Sequence, residues 1–91
     1  MKLCHVDITL DEKYTRIVSI LVRRGYLLYD ASRQCVDYYA GSEVSKKTFY
    51  VLLLYVLGMR DIVIDEGYTV EELLVDPLRR VDPSLIDLLY S

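Results

Sequence analysis

The sequence has few of the residues on which common catalytic and metal-binding motifs depend. It contains one histidine, His5, and two cysteines, Cys4 and Cys35, which are not spaced as a CxxC pair. Zinc fingers and HExxH zinc proteases are therefore excluded. No GxGxxG, P-loop or GxSxG sequence is present either, and only His5 could activate a serine or cysteine nucleophile.

Side-chain amides are almost absent from the sequence. It has no asparagine, and Gln34 is its one glutamine, whereas arginine, tyrosine, valine and leucine are abundant. Heat selects against residues that deamidate, so this usage is typical of hyperthermophiles. We therefore expect the protein to come from a hyperthermophile or from one of its viruses.

Excess positive charge and long apolar runs are also lacking. The formal net charge is −3, so no global positive field attracts nucleic acid, and any binding to it must be local. No stretch approaches the ~18 consecutive apolar residues of a membrane span, and the first residues lack the apolar run of a secretory signal. We expect no membrane association and a cytoplasmic location, which is the host cytoplasm if the protein is viral.

Apolar residues, in contrast, are abundant for the size of the chain. The 91 residues fit one domain, residues 1–91, in which we expect a core over 1–68 and a helical tail over 69–91. Apolar residues make up 53% of the chain, more than a monomer of this size easily buries. The excess of apolar residues predicts that part of the protein surface is buried against a partner.

The chain shows strand-like alternation and helical periodicity in turn. Residues 3–10 alternate as in a half-buried strand, and Asp11 can cap a helix that ends before Gly25. Residues 26–30 and 34–40 favour β-structure on either side of a turn, and so predict a hairpin. The further predicted elements are a helix from Ser42 or Ser45 to Leu57, a strand over 61–65 that turns at Glu66-Gly67, a short helix capped by Thr69 and Glu72 that stops near Pro77, and a last helical segment through Leu89.

This order of elements is that of the ferredoxin-like fold, an α+β split βαβ arrangement (βαββαβ). Four antiparallel strands would carry both helices on one face, with the first and third strands adjacent. The alternative is a winged helix, in which residues 32–40 are helical, residues 45–57 form the recognition helix and residues 61–70 form the wing. We prefer the first, because a recognition helix needs a polar face to meet DNA and this helix loses its polar face after Thr48.

Acidic side chains could meet on the open face of the predicted sheet. If the first and third strands pair, His5, Asp7 and Asp37 converge there. Two adjacent carboxylates repel each other unless a cation lies between them, and Mg²⁺ or Mn²⁺ would suit these ligands. The alternative is that both aspartates are solvated and that His5 is a surface or interface residue.

Several stretches of the sequence resemble known families. Val6-Asp7-Ile8 at the end of the first predicted strand, the helix that ends at Gly25, and residues 34–41 are similar to the small CRISPR-associated adaptation protein and to VapD-type ribonucleases. The resemblance covers the larger part of the chain and implies a ferredoxin-like homodimer. It also implies that Asp7 is the catalytic acid that binds a metal at the dimer interface. The chain departs from those families in its longer hairpin, its acidic charge and the absence of a serine near the start of the third strand.

Two lysines at the start of the second helix are candidates for nucleic-acid binding. Lys46 and Lys47 oppose the helix dipole there, so structure alone explains them poorly. Together with Thr48 they could contact phosphate through lysine charge and free backbone N–H groups. The alternative, which the composition favours, is a solvated first turn.

The second helix is apolar on every face from Phe49 to Leu57. Residues at 100° intervals around a helix cannot all face one core, so some of them must find another surface. We expect a homodimer or higher oligomer held by this helix. The predicted interface residues are Phe49, Tyr50, Leu53, Leu54 and Leu57.

The predicted sheet also determines what to expect of the cysteines. With antiparallel central strands, Cys4 and Cys35 lie about four residues apart, or roughly 13 Å, well beyond the ~7 Å Cα separation that a disulfide allows. We therefore predict no intramolecular disulfide.

The leading functional hypothesis is a non-catalytic, homo-oligomeric interaction or scaffold protein. Two alternatives remain open on the sequence. One is a metal-dependent nuclease of the CRISPR-associated or VapD type, which depends on Asp7. The other is a winged-helix DNA-binding regulator, which depends on Ser45, Lys46, Lys47 and Thr48 and on a mobile wing near Glu66-Gly67.

Overall fold

A computed structural model describes all 91 residues and contains four helices and six short strands, so the predicted α+β class is confirmed. The helices are α1 (Glu12–Arg23), α2 (Glu43–Val56), α3 (Val70–Val81) and α4 (Ser84–Tyr90). The strands are β1 (Lys2–Leu3), β2 (Ile8–Thr9), β3 (Leu28–Asp30), β4 (Cys35–Asp37), β5 (Val63–Asp65) and β6 (Tyr68–Thr69). None of the helices has the length and apolar character that crossing a membrane requires.

Side-chain caps begin the first two helices, as the sequence predicts. The Asp11 carboxylate accepts a hydrogen bond from the Tyr14 N–H at 3.0 Å and starts α1. Ser42, rather than Ser45, caps α2 and accepts from the Ser45 N–H at 3.2 Å. The Ser45 hydroxyl is instead buried, and it donates to the carbonyl of Tyr26 at 2.7 Å.

The start of α3 is predicted correctly, but its end is not. Thr69 and Glu72 form the predicted capping box. The helix does not stop near Pro77, because it continues through this residue to Val81. Leu74 and Leu78 lie on either side of the proline and are both fully buried. Burial of this stripe outweighs the one backbone hydrogen bond that a proline cannot donate.

The main sheet has four strands in the order β2-β1-β4-β3. The predicted continuous strand over residues 3–10 is wrong, because the chain reverses between Leu3 and Ile8 and places β2 antiparallel to β1. His5 lies in this reversal with a positive φ of 69°. The predicted antiparallel pairing of the first and third strands is also wrong, since β1 runs parallel to β4, with Leu3 opposite Val36.

The ferredoxin-like strand order is therefore not the one observed. The predicted fourth strand does not join the main sheet, because β5 pairs with β6 in a separate two-stranded hairpin across the predicted Glu66-Gly67 turn. The winged-helix alternative fails at residues 32–40, which form a turn and β4 rather than a helix. Residues 61–70, the predicted wing, do contain the β5–β6 hairpin, but the elements before it are not those of a winged helix.

A disulfide joins Cys4 to Cys35, so the prediction of no intramolecular bridge is wrong. The Cα atoms of the two cysteines are 5.1 Å apart, because β1 runs parallel to β4 and Cys4 begins the turn after β1, where its N–H donates to the carbonyl of Val36. Both cysteines are buried, at 3% and 7% exposure. The error has the same origin as the error in strand direction.

One cluster of sixteen buried residues forms the core. The segment predicted as a tail contributes five of them, namely Val70, Leu74, Leu78, Leu85 and Leu89. Helix α4 packs on α1 and α3, and the Lys13 ammonium donates to the carbonyl of Leu89 at 3.1 Å. Residues 69–91 are therefore part of the same core as the sheet.

Candidate functional site

The face of α2 that points away from the core is largely apolar. Its inner face contributes Phe49, Val51, Leu52 and Tyr55 to the buried core. Its outer face carries four large apolar side chains, of which two are about half-exposed and two are partly buried. We call these four residues the α2 outer surface; they are Tyr50 (53% exposed), Leu53, Leu54 and Leu57 (50% exposed).

The β5–β6 hairpin follows α2 in the chain and carries exposed apolar side chains of its own. After α2 the chain turns back, and the Met59 N–H donates to the carbonyl of Leu54 at 2.9 Å. The Lys47 ammonium forms an ion pair with Asp65, so the hairpin returns along α2 toward its first turns. Ile62 and Val63 lie between these two contacts and are 48% and 58% exposed. Ile62 and Val63 are therefore exposed apolar side chains of the hairpin segment.

One of the predicted interface residues lies elsewhere. Phe49 is 6% exposed and belongs to the core, where its ring meets the edge of Tyr38 at a centroid distance of 5.5 Å. Its position on the helix turns it toward the sheet, away from Tyr50 and Leu57. The structure brings together the other four predicted residues and leaves Phe49 out.

The predicted nucleic-acid contacts are engaged within the protein. Lys47 pairs with Asp65, and the Lys46 ammonium lies 3.9 Å from Glu43 and above the ring of Tyr38. The Thr48 hydroxyl is buried and donates to the carbonyl one turn earlier at 2.9 Å. The Thr48 hydroxyl is therefore bonded within its own helix, and both lysines have carboxylates beside them; contact with nucleic acid stays a prediction.

His5 and Asp37, two of the three predicted metal ligands, do meet. The His5 Nε2 atom is 3.0 and 3.1 Å from the two Asp37 carboxylate oxygens, and Arg33 Nη2 is 2.8 Å from one of them. Partial burial alone would raise the pKa of Asp37, but hydrogen bonds from the Tyr38 backbone N–H, His5 and Arg33 outweigh it and lower the pKa. The carboxylate is therefore held as an anion between two basic side chains.

Asp7 does not join this pair. It lies exposed in the reversal between β1 and β2, and its side chain makes no hydrogen bond or ion pair within the protein. No group of three or more histidine, cysteine, aspartate or glutamate side chains is placed to hold a metal ion. The predicted convergence of His5, Asp7 and Asp37 is wrong, because it assumed a continuous first strand. The catalytic role of Asp7 at a dimer interface stays a prediction.

The sequence analysis also missed the exposure of two apolar residues, Ile62 and Val63. Ile62 and Val63 belong to a run that predicts a buried strand. The better signal was the two-residue Glu66-Gly67 turn, with Gly67 at a φ of 88°, because such a turn joins two short strands of a hairpin. A two-stranded hairpin at the edge of a small domain leaves side chains exposed.

Comparison with models of known protein families gave no match, and comparisons with curated proteins and with solved structures gave none either. The resemblance to the CRISPR-associated adaptation protein and to VapD-type ribonucleases stays a prediction.

Proposed function

We propose that the protein is a homo-oligomeric interaction protein whose subunits associate through the α2 outer surface. The observation that carries the proposal is that Tyr50 and Leu57 are half-exposed in the second half of α2. The other two residues on this outer side, Leu53 and Leu54, are also apolar. Contiguous apolar surface of this kind marks interaction sites in soluble proteins.

The chain covers Leu53 and Leu54 only in part, as they pack against the edge of the core, and it leaves Tyr50 and Leu57 half-exposed. The C-terminal helix α4 was the natural candidate, but it packs on α1 and α3, where Leu85 and Leu89 are fully buried. Each large side chain of the α2 outer surface could contribute ~1.5–3 kcal/mol if an interface buried it completely. A few such side chains are enough to support an association at micromolar concentration.

A second copy of the chain is the occupant that we propose. Two identical helices can pair about a twofold axis, and each then presents the same residues to the other. With the axis between Leu53 and Leu54 and the helices antiparallel, Tyr50 of one subunit lies opposite Leu57 of the other. The apolar halves of the two helices then cover each other, and the charged first turns remain at the rim.

Mass in solution tests the proposal. We expect light scattering to give twice the monomer mass of 10.6 kDa or more for the native protein. Leu57→Glu should shift the mass to that of the monomer, because a carboxylate would be buried without a partner. Arg79→Glu places the same charge on the exposed face of α3 and should leave the mass unchanged. A monomer mass for the native protein at high concentration would contradict the proposal.

A cysteine cross-link tests the proposed geometry separately. Both native cysteines are in the disulfide, so an introduced cysteine is the only free thiol. Under mild oxidation Leu54→Cys should form a covalent dimer rapidly, because it lies next to the proposed axis. Arg79→Cys is the matched control and should cross-link slowly. Equal rates for the two variants would rule out this arrangement of the helices.

A further inference from the structure

The N-terminal hairpin, which comprises β1, the reversal and β2, has few backbone contacts with the rest of the protein. Strand β1 pairs with β4 over only two positions, Lys2 with Cys35 and Leu3 with Val36. One further hydrogen bond, from the Cys4 N–H to the carbonyl of Val36, is 2.8 Å long. The Cys4–Cys35 disulfide is the covalent part of this attachment.

Backbone strain is concentrated beside the disulfide. His5 and Gln34 are the two residues other than glycine with positive φ, at 69° and 55°. His5 follows Cys4 directly and Gln34 precedes Cys35, so each lies next to one half of the bridge. Residues other than glycine rarely adopt a positive φ, and this backbone conformation persists where the surrounding structure holds it in place. The disulfide is the feature that these two residues share.

The hairpin supplies a small part of the core, to which Leu3 belongs and against which Val6 and Ile8 pack partly buried. All but two of the sixteen core residues lie outside residues 1–10, and the two exceptions are Leu3 and Leu10. The side chains of α1, α2, α3 and α4 supply most of the remainder. Detachment of the hairpin would therefore leave most of the core in place, while it would uncover Val36 and leave β4 as an open sheet edge.

We propose that the Cys4–Cys35 disulfide is a redox lock that holds the N-terminal hairpin on β4 and releases it when a dithiol reduces the bond. The disulfide accepts two electrons and two protons, its S–S bond breaks to give two thiols, and the dithiol is oxidised to its own disulfide. The lock does not depend on the proposed dimer.

Hydrogen exchange on the native chain tests the lock directly. Dithiothreitol should add the mass of two protons and should speed amide exchange in residues 1–10 and in β4 by on the order of 10²-fold, the scale on which a bridge across such a loop acts. Exchange in α2 and α3 should change little. The variant that combines Cys4→Ala and Cys35→Ala should exchange rapidly over residues 1–10 with or without dithiothreitol.

Three results would overturn the proposal. Unchanged exchange in residues 1–10 after reduction would mean that noncovalent contacts alone hold the hairpin. Loss of protection in α2 and α3 as well would mean that the bridge stabilises the whole fold rather than one element. Two free thiols in the protein under oxidising conditions would remove the lock itself. None of these measurements requires the double variant to fold, since each uses the native chain.

Discussion

Helices α2 and α3 pack against each other and bury their inner faces in one core, yet their outer faces have opposite character. The outer face of α3 is charged: Glu72 caps the helix, and Asp76 and Arg80 form an ion pair at 3.1 Å. The outer face of α2 is polar only in its first turns and then becomes apolar at Tyr50 and Leu57. Of the two neighbours, α3 presents a charged outer face, whereas the second half of α2 leaves apolar side chains exposed, which the proposed second subunit would cover.

The difference between the two helices shows that the number of apolar residues in a helix need not match the number that the core can cover. An amphipathic helix such as α3 has one apolar stripe, and that stripe matches what the core can cover. In α2 the apolar residues continue around the helix after Thr48, so the core covers some of them and leaves others in solvent. The two helices therefore differ in their outer faces, which do not contribute to the core.

The largest expected effects come from the inner faces, where the two helices should behave alike. Leu52 on α2 and Leu74 on α3 are both fully buried. We expect Leu52→Ala and Leu74→Ala each to lower the free energy of unfolding by about 2–5 kcal/mol, because each removes buried methyl groups and leaves a cavity. Urea denaturation monitored by circular dichroism measures this. Leu57→Ala on the outer face, in dilute monomer, should cost much less, and an equal cost would mean that Leu57 packs within the monomer.

A smaller effect should separate the two helix starts. Thr69 and Glu72 cap α3 reciprocally: the Glu72 N–H donates to the Thr69 hydroxyl at 3.1 Å, and the Thr69 N–H donates to the Glu72 carboxylate at 3.2 Å. Ser42 caps α2 with one hydrogen bond of 3.2 Å. Thr69→Ala and Ser42→Ala should each lower the free energy of unfolding by ~1 kcal/mol, with the larger loss at Thr69. Thr69→Ser keeps the cap and should recover most of the loss in the same denaturation assay.

Local signals in the sequence predict most of the helical structure. Asp11, Ser42 and Thr69 begin their helices because a short polar side chain can reach the free N–H groups of the first turn. The end of α3 was missed because the local rule for Pro77 does not include the burial of Leu78 beyond it. Local chemistry thus locates the helix starts, and tertiary packing decides where this helix ends.

Strand pairing depends on distant residues and was predicted poorly. Residues 3–10 alternate well enough for one strand, and nothing local marks the reversal at His5. Once that reversal is missed, β1 points the wrong way relative to β4, and the disulfide and the metal site are both misjudged. All four residues of the α2 outer surface were among the five predicted interface residues, but Phe49 was wrongly grouped with them, because an apolar run does not reveal which of its sides meets the sheet.

The smallest expected effect concerns the ion pair that links the polar start of α2 to the β5–β6 hairpin. The side-chain hydrogen bond from Lys47, its positive charge and the Glu66 backbone N–H lower the pKa of Asp65 below its usual value. A carboxyl group whose pKa is lower in the folded state stabilises the fold above its unfolded pKa of about 3.9, and this stabilisation is lost as the pH falls through the folded value.

The sign of this linkage fixes the expected result for Asp65→Asn. The variant should melt slightly below the native protein at neutral pH. The difference should shrink as the pH falls below about 3.9, because the Asp65 carboxylate of the native protein then becomes protonated in the unfolded and finally in the folded state. Salt should also reduce the difference, because Lys47 and Asp65 are 50% and 40% exposed and solvent ions screen them. Melting temperatures measured between neutral and acid pH, at low and high salt, test both trends. A difference that persists unchanged into acid would show that Asp65 acts through hydrogen bonds that asparagine cannot replace, rather than through its charge.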